Sequence, residues 1–583
     1  MTTEGTAVEG GLDEPRELEP EQGTLRLAQP EDRHSREDWE RETAQVLRKA
    51  RRMTDDDPDR LVWDKLTRTT LDAIAVPPLG TPELLDGLQT SGRPARAGDW
   101  DIRAHVSDGD PKVVNEEVLG DLEGGVTSLW LHAASGTDFA GTLDGVLLDL
   151  APVVLDARDD PTTTATAFLD WAGDREIHPG TNLGLPTFDA AVAARASAAG
   201  VLGFVIDGLG THDAGASDGQ ELGWTMAAAA TYLRDATAAG LSVGEAAGLV
   251  EFRLAVTDDQ FAGIAKLRAA RRLWARVQEL SGSDPVPMRL HAVTSRPMMT
   301  RYDPWVNMLR TTVAAFAAGV GGADAVTVLP FDSALGRPDA FGRRIARNTS
   351  HLLISESHVA RVADPAGGSY AVERFTDDLA VAAWAVLGEL EDGGAGDAWD
   401  AAIADVVAAR ERLVATRKRP LTGLSEFPHL DETLPERVPT GSTTGVRAYG
   451  ASFEALRDDP PAAHVFLATL GPVAAHTARA TFATNLFAAG GVAVDVAGPT
   501  DSVAALVAAY DGQAVVCLAG ADAAYAEWGE VAASALREAG ATRVVVAGAS
   551  TSSTTDLFDV ADDSCAMGVD ALAFLARTRE ALS

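Results

Sequence analysis

The stretch MRLHAVTSRPMMTRYDPWVNMLRTTVAAFAAGVGGADAVTVLPFD, residues 288–332, decides the fold class. A β-like run (288–295) leads through a Pro-containing turn into a long helical pattern (304–321). A second β-like run (325–332) follows two glycines. Strand, crossover helix, strand is the unit of a parallel sheet, because parallel neighbours need a long connection between them. The unit recurs outward in both directions. Further strand-like runs are expected at 125–133, 145–150, 152–157, 201–207, 251–258 and 351–357, with a helix over 258–280. Eight candidates in roughly 250 residues fit a (β/α)₈ (TIM) barrel. His132, Asp207, His291, Ser295, Asp332 and Glu356 then fall near strand ends, where such a barrel keeps its active-site face.

The chain is longer than one barrel needs. At 583 residues it implies two large domains plus tails. A second, shorter alternation begins after a polar stretch rich in Pro and Gly, with strands expected at 464–471, 492–498, 514–520, 542–548 and 568–574. Five parallel strands in so short a span suggest a flavodoxin-like domain. Such a domain binds ligands beyond the carboxyl ends of its strands, near the first. The expected organisation is an acidic, extended arm (1–45), a barrel domain (46–400), a linker region (401–460) and the flavodoxin-like domain (461–583). Residues 1–40 carry twelve acids and four arginines with few large apolar residues, too little to bury for independent order. A helix is expected over 39–53.

There are 86 acidic against 49 basic side chains, a formal charge of −37. That field disfavours nucleic acid and anionic lipid as partners. No apolar run reaches the ~20 residues of a membrane span, and the first residues lack the basic start and apolar core of a signal peptide. A cytoplasmic protein is expected. Cys517 and Cys565 are too few for a disulfide framework or a four-thiolate metal site, and are expected to be buried thiols.

Three segments carry a resemblance: IAKLRAARRLWARV (264–277), HAVTSRPMMTRYDPWVNMLRTT (291–312) and ARNTSHLLISESHVARVADPAGGSYAVERFTDDLA (346–380). Together they resemble the methylmalonyl-CoA mutase family from about residue 45 to the end. The resemblance implies a TIM barrel followed by a cobalamin-binding-type domain. It also implies the radical interconversion of methylmalonyl-CoA and succinyl-CoA with adenosylcobalamin.

Catalytic chains of that family carry D-x-H-x-x-G after the first strand of the cobalamin domain, His ligating cobalt and Asp holding its other nitrogen. The matching positions here are Val473, Ala475 and Ala478, and His476 is one residue out of register with no acid beside it, a surface or helix-start histidine by expectation. In the barrel, His105 replaces the family's Tyr after Arg103. His212 stands at a substrate-contacting Gln. His291 matches the catalytic His, with Val293 and Arg296 in place of Gln and Gly. DPAGGSY is expected to serve a tight turn, Trp274 the core, and the basic run TRKRPLTGL (416–424) a solvated turn.

The resemblance is therefore closest to the small, non-catalytic subunit of the heterodimeric enzyme. It implies a catalytic large subunit as partner, which would hold the adenosylcobalamin. Two alternatives remain open: a cobalamin-using acyl-CoA mutase active by itself, and a scaffold for cobalamin-loading accessory proteins.

Overall fold

The computed structural model describes residues 34–88, 94, 96–157, 159–440, 445–551 and 554–583. It divides into two compact units, one reaching Arg68 and including Ala75–Leu79, the other holding the rest. The proposed arm lies largely outside the described residues. In the first unit a helix runs Arg36–Lys49, opened by a capping box in which Ser35 and Asp38 bond each other's backbone amides. Its buried face, Ala44 and Leu47, packs with Met53 and Val62.

The second unit contains a closed barrel of eight parallel strands. They are β1 (Asp101–Val106), β2 (Ser128–Ala133), β3 (Val153–Ala157), β4 (Asn182–Leu185), β5 (Leu202–Asp207), β6 (Val250–Val256), β7 (Leu290–Thr294) and β8 (Ala325–Thr327). Ala325 pairs with Asp101 and so closes the ring. The crossover helices begin at side-chain caps: Asp110 before Pro111–Glu123, Asp160 before Pro161–Ala172, Ser217 before Asp218–Ala238 and Asp259 before Gln260–Leu280.

Two expected barrel strands are replaced by two others. Residues 145–150 form turns in which Leu147 and Leu150 face solvent, 61% and 66% exposed. Residues 352–356 continue the helix Ala340–His351 as a π-helical turn. The ring is completed instead by β1, whose Arg103 is buried in spite of its charge, and by the four-residue β4.

Beyond the helices Tyr370–Glu391 and Asp397–Ala415 lies a second parallel sheet. Its strands are β9 (Val465–Thr469), β10 (Val494–Val496), β11 (Val515–Ala519), β12 (Arg543–Ala547) and β13 (Asp563–Cys565), in the order β10-β9-β11-β12-β13. Its residues alternate strictly. Leu467, Cys517 and Val545 pack on one face with Phe487 and Phe574, while Phe466, Val516, Leu518 and Val546 pack on the other with Leu506 and Leu536. The last strand lies earlier than expected: Gly568 turns the chain at φ +85°, and Asp570 caps the helix Ala571–Leu582 that takes up 571–574. Both cysteines are buried free thiols. No helix among the described residues is long and apolar enough to cross a membrane.

Candidate functional site

A barrel of this kind offers chemistry at the carboxyl ends of its strands. Here the interior beneath that face is filled. Trp130 on β2 is fully buried and packs with Leu209, Ala255, Val293 and Leu329. The Arg253 guanidinium lies 4.2 Å from the Trp130 ring centre, the His105 ring 4.4 Å and the His291 ring 5.5 Å.

His291 is wholly buried. Arg253 Nε donates to its Nδ1 at 3.2 Å, and because arginine can only donate, Nδ1 is the accepting nitrogen. The ring proton therefore sits on Nε2 and points at Thr327 Oγ1, 2.7 Å away. Burial, then the nearby cations Arg103 and Arg253, hold the His291 pKa well below its usual value. Both nitrogens are committed to neighbours, and the neutral ring is locked. His105 is half-buried, and burial together with Arg296 and Arg253 brings its pKa down to about 3.

His212 sits on the short helix Leu209–Asp213 after β5. Its Nε2 is 2.7 Å from Ser295 Oγ and its Nδ1 is 3.1 Å from Glu221. Glu221 also receives the amide of Ala255 and the ammonium of Lys266, at 2.8 and 2.5 Å. Lys266 reaches Asp218 at 2.9 Å. Burial alone would drive Lys266 toward its neutral form, but the two carboxylates outweigh it and raise its pKa. A second buried group joins Arg103 to Glu251 at 2.7 Å. Sequence reasoning found the three histidines but missed Trp130 and Arg253 on other strands and Glu221 and Lys266 on the helices around them.

Arg296, where the resemblance expects Gly, pairs with Asp213 at 2.8 Å and lies 5.8 Å from the Trp130 ring centre. Above it a cavity of about 240 Å³ remains at the mouth. The linker contributes its roof. Arg337 N bonds Val438 O, Tyr449 N bonds Pro297 O, and Arg301 pairs with Glu454 at 3.0 Å. Of the three acids expected near strand ends, Glu356 is exposed on its π-helical turn, Asp332 is buried against Arg437 at 2.5 Å, and Asp207 pairs with Arg253 at 2.8 Å.

The basic run at 416–424 is not a solvated turn throughout. Arg417 stacks on Phe482 at 4.7 Å and pairs with Glu426 at 3.2 Å. Arg410 and Arg419 both lie over the Tyr449 ring, at 4.7 and 5.2 Å. DPAGGSY contributes Asp364 to a pair with Arg268, and Arg268 also holds Glu373 at 2.8 Å. Trp274 is core, its ring centre 4.8 Å from that of Phe252.

At the carboxyl edge of the second sheet, Gly471 turns at φ +84° and the helix Val473–Ala489 begins at once. Val473 is 57% exposed. Val473, Ala475 and Ala478 carry no donor or acceptor side chain. His476 lies in the first turn of that helix, as one of the two expectations had it, and is buried, its Nδ1 3.2 Å from the Gly471 carbonyl. Two side chains lie between the ends of β11 and β12, and beside them a cavity of about 770 Å³, lined by Gly471, Pro472, Thr500 and Trp528 among others, is open. Tyr525 Oη lies 2.9 and 2.7 Å from the carbonyls of Leu518 and Ala547. Arg479 donates to the Gly520 carbonyl at 2.5 Å and lies 4.8 Å from the Tyr525 ring centre.

A family model described as methylmalonyl-CoA mutase matches residues 190–489. The methylmalonyl-CoA mutase small subunit of Streptomyces virginiae is 44% identical, over 93% of this chain and 96% of its own. The probable small subunit of Mycobacterium bovis is 40% identical, over 88% of this chain and 92% of its own. The small subunit of Propionibacterium freudenreichii subsp. shermanii is 35% identical, over 90% and 91%. With the barrel, the second parallel sheet and matches that run nearly end to end, this chain belongs to the methylmalonyl-CoA mutase family.

Proposed function

We propose that this chain is the small, non-catalytic subunit of an adenosylcobalamin-dependent methylmalonyl-CoA mutase. It works in the cytoplasm as a heterodimer with a catalytic large subunit. The complex interconverts methylmalonyl-CoA and succinyl-CoA, and the partner holds the cofactor. The observation that carries this reading is the closed barrel interior. Trp130, Arg253 and His291 pack against one another inside the barrel, Arg253 bonding His291 and His291 bonding Thr327. His291 cannot exchange a proton with a substrate while Nδ1 accepts from Arg253 and Nε2 donates to Thr327.

The C-terminal domain, read as a flavodoxin-like domain of the cobalamin-binding type, supports the same conclusion. Its residues do not fit the cofactor. Val473, Ala475 and Ala478 offer no metal-ligand atom or partner for one, and the Nδ1 of His476 is turned to the chain's own backbone. A chain built this way contributes a folded surface to the complex rather than a reacting group.

The experiment is to titrate the purified chain with adenosylcobalamin and record its absorption spectrum, alone and after co-expression with a longer homologue carrying intact D-x-H-x-x-G. No uptake by the lone chain, with a one-to-one complex that binds cofactor and turns over, is expected. Stoichiometric uptake by the lone chain would overturn the reading.

A further inference from the structure

The open cavity at the carboxyl edge of the second sheet has no part in the proposed subunit role. It lies where the strand order turns back, since β10 and β11 flank β9, and parallel sheets bind ligands beyond their strand ends at such a point. About 770 Å³ is open, the space of roughly twenty-five waters at ~30 Å³ each. Pro472, Pro499, Val503 and Trp528 give it apolar walls. Trp528 comes from the π-helical turn Tyr525–Gly529, an irregularity that often marks functional sites. That turn sends Tyr525 inward to the strand carbonyls and sets Glu527 and Trp528 on the cavity.

The charged lining has one sign. Asp501, in the loop after β10, and Glu527, in the turn after β11, border the cavity, and no basic side chain is among the described residues that line it. Neither carboxylate has a cationic partner among the described residues, whereas neighbouring Asp522 pairs with Arg479 at 2.5 Å. The hydroxyls are already engaged: Thr500 Oγ1 donates to the Thr469 carbonyl at 2.6 Å, and Ser502 Oγ accepts from the Ala505 amide at 3.3 Å. Two helices open beside the cavity, at Val473 and Val503, and each adds about half a positive charge, which two carboxylates outweigh. Phosphates, acyl-CoA esters and free carboxylates are therefore repelled. A cation is favoured by the two acids, by the Trp528 ring and by the chain's charge of −37. An inorganic cation would leave the apolar walls uncovered. The strands that lead to the two acids lie on either side of β9, two spacings or roughly 10 Å apart, so an aliphatic diamine of about four to six carbons spans the gap where one ammonium would meet one acid. We propose that this cavity binds such a diamine, its ammonium groups on Asp501 and Glu527 and its methylenes against Trp528 and Val503. The chain would thereby carry a small-molecule site of its own, separate from any chemistry on its partner.

The test is calorimetric titration of the full chain, in dilute buffer of matched ionic strength, with 1,5-diaminopentane, n-pentylamine, Nα-acetyl-lysine amide and magnesium chloride. The diamine is expected to bind one-to-one with a dissociation constant on the order of 1 mM or tighter. Pentylamine should bind about fivefold more weakly, the loss expected of one exposed ion pair. Acetyl-lysine amide, which stands for a single protein side chain, should do the same, and magnesium should show no one-to-one site. Asp501→Asn and Glu527→Gln should each weaken the diamine about fivefold, and the double variant should abolish one-to-one binding. Asp511→Asn removes the same charge before β11, at the other edge of the sheet, and should change nothing, which separates the site from the general field of the chain. Trp528→Leu should weaken the diamine with the thermal unfolding of the free chain retained; should it fail to fold, the carboxylate variants, at exposed positions, decide alone. No diamine binding by the unmodified chain overturns the proposal, as does equal binding of either monoamine or of magnesium, or undiminished affinity in the double variant. None of these outcomes depends on cobalamin uptake or on a partner chain, so this proposal and the subunit reading can fail separately.

Discussion

The two parallel sheets of this chain solve the same topological problem with opposite interiors. The second sheet is apolar on both faces, from Leu467, Phe487 and Val545 on one side to Phe466, Val516 and Leu536 on the other. The barrel encloses Arg103, Glu251, Arg253 and His291 on its strands and Lys266 with Glu221 on its helices, all buried. Both interiors are tightly filled, but by different physics. In the sheet domain, stability comes from area removed from water, a non-directional gain. In the barrel, each buried charge costs solvation that only a well-placed partner offsets, so the pieces depend on one another. The second sheet is therefore core on both faces, whereas the barrel interior is polar.

The comparison breaks most sharply at Lys266. Replacing it with Met leaves the Glu221 and Asp218 carboxylates without their ammonium partner. The expected loss is about 3–5 kcal/mol, the usual result of removing one member of a buried ionic group. Urea unfolding measures it, and hydrogen exchange should place the loss on the barrel strands while β9, β11 and β12 keep their protection. Equal loss in both sheets would mean that the two interiors unfold as one.

In the sheet domain the corresponding lesion is Leu467→Ala, at a fully buried strand position. Lost transfer energy and the cavity left behind predict about 3 kcal/mol. Because the interaction is non-directional, Leu467→Met should recover most of that loss. No such near-isosteric rescue is expected for Lys266, where Lys266→Arg changes the reach and shape of the cation.

Acidity separates the two further. His105 has its pKa held down to about 3, against about 6.5 in an unfolded chain, so folding favours the neutral ring. The stability this neutral ring contributes is fully present above pH 6.5 and is lost progressively as pH falls from there toward 3. Buried His291, lowered in the same direction, adds to the slope. Asp72 acts oppositely. Burial, then Asp218, raises it to about 6 from 3.8, so its contribution is present below pH 3.8 and lost as pH rises through 6. Midpoints of urea unfolding from pH 7.5 down to 4.5 should fall, and His105→Asn should flatten the fall. An unchanged slope would show that the ring is not held neutral by its surroundings.

Much of the architecture was legible in the sequence, because crossover helices and apolar strands leave periodic marks. β5–β8 and β9–β12 stand close to where those marks place them. The errors have local causes. β1 was passed over because the polar Arg103 and His105 interrupt its apolar pattern, and β4 because four residues make too short a run. Residues 145–150 carry leucines that the fold leaves exposed, and 351–357 continue a helix without a break. At the site, the histidines could be picked out but their environments could not. His291 meets Arg253 from 38 residues away and His212 meets Ser295 from 83. Those partners are set by the pairing and register of strands far apart in sequence, as Arg253 opposite His291 on β6 and β7, which no local pattern encodes. His476 stands at a helix start, one of the two places expected for it, but its burial has no local mark.

The smallest effect sharpens the contrast by holding the charge chemistry fixed. Arg234 and Glu391 join the helices Asp218–Ala238 and Tyr370–Glu391 through two hydrogen bonds of 2.9 and 3.1 Å, at least as regular a pair as any in the barrel interior. Their side chains are 57% and 38% exposed. Water already solvates both groups, so the pair gains little over its separated partners, and salt screens what remains. The helices it joins pack through Gly223 against Val386, an apolar contact that does not need it. Arg234→Ala should therefore change stability by no more than about 0.5 kcal/mol, against several for Lys266→Met in the same helical layer, and 0.5 M NaCl should abolish even that. If the two substitutions cost alike, burial would not be what makes the barrel's charges interdependent, and its polar interior would be stabilised by the number of ion pairs rather than by their enclosure.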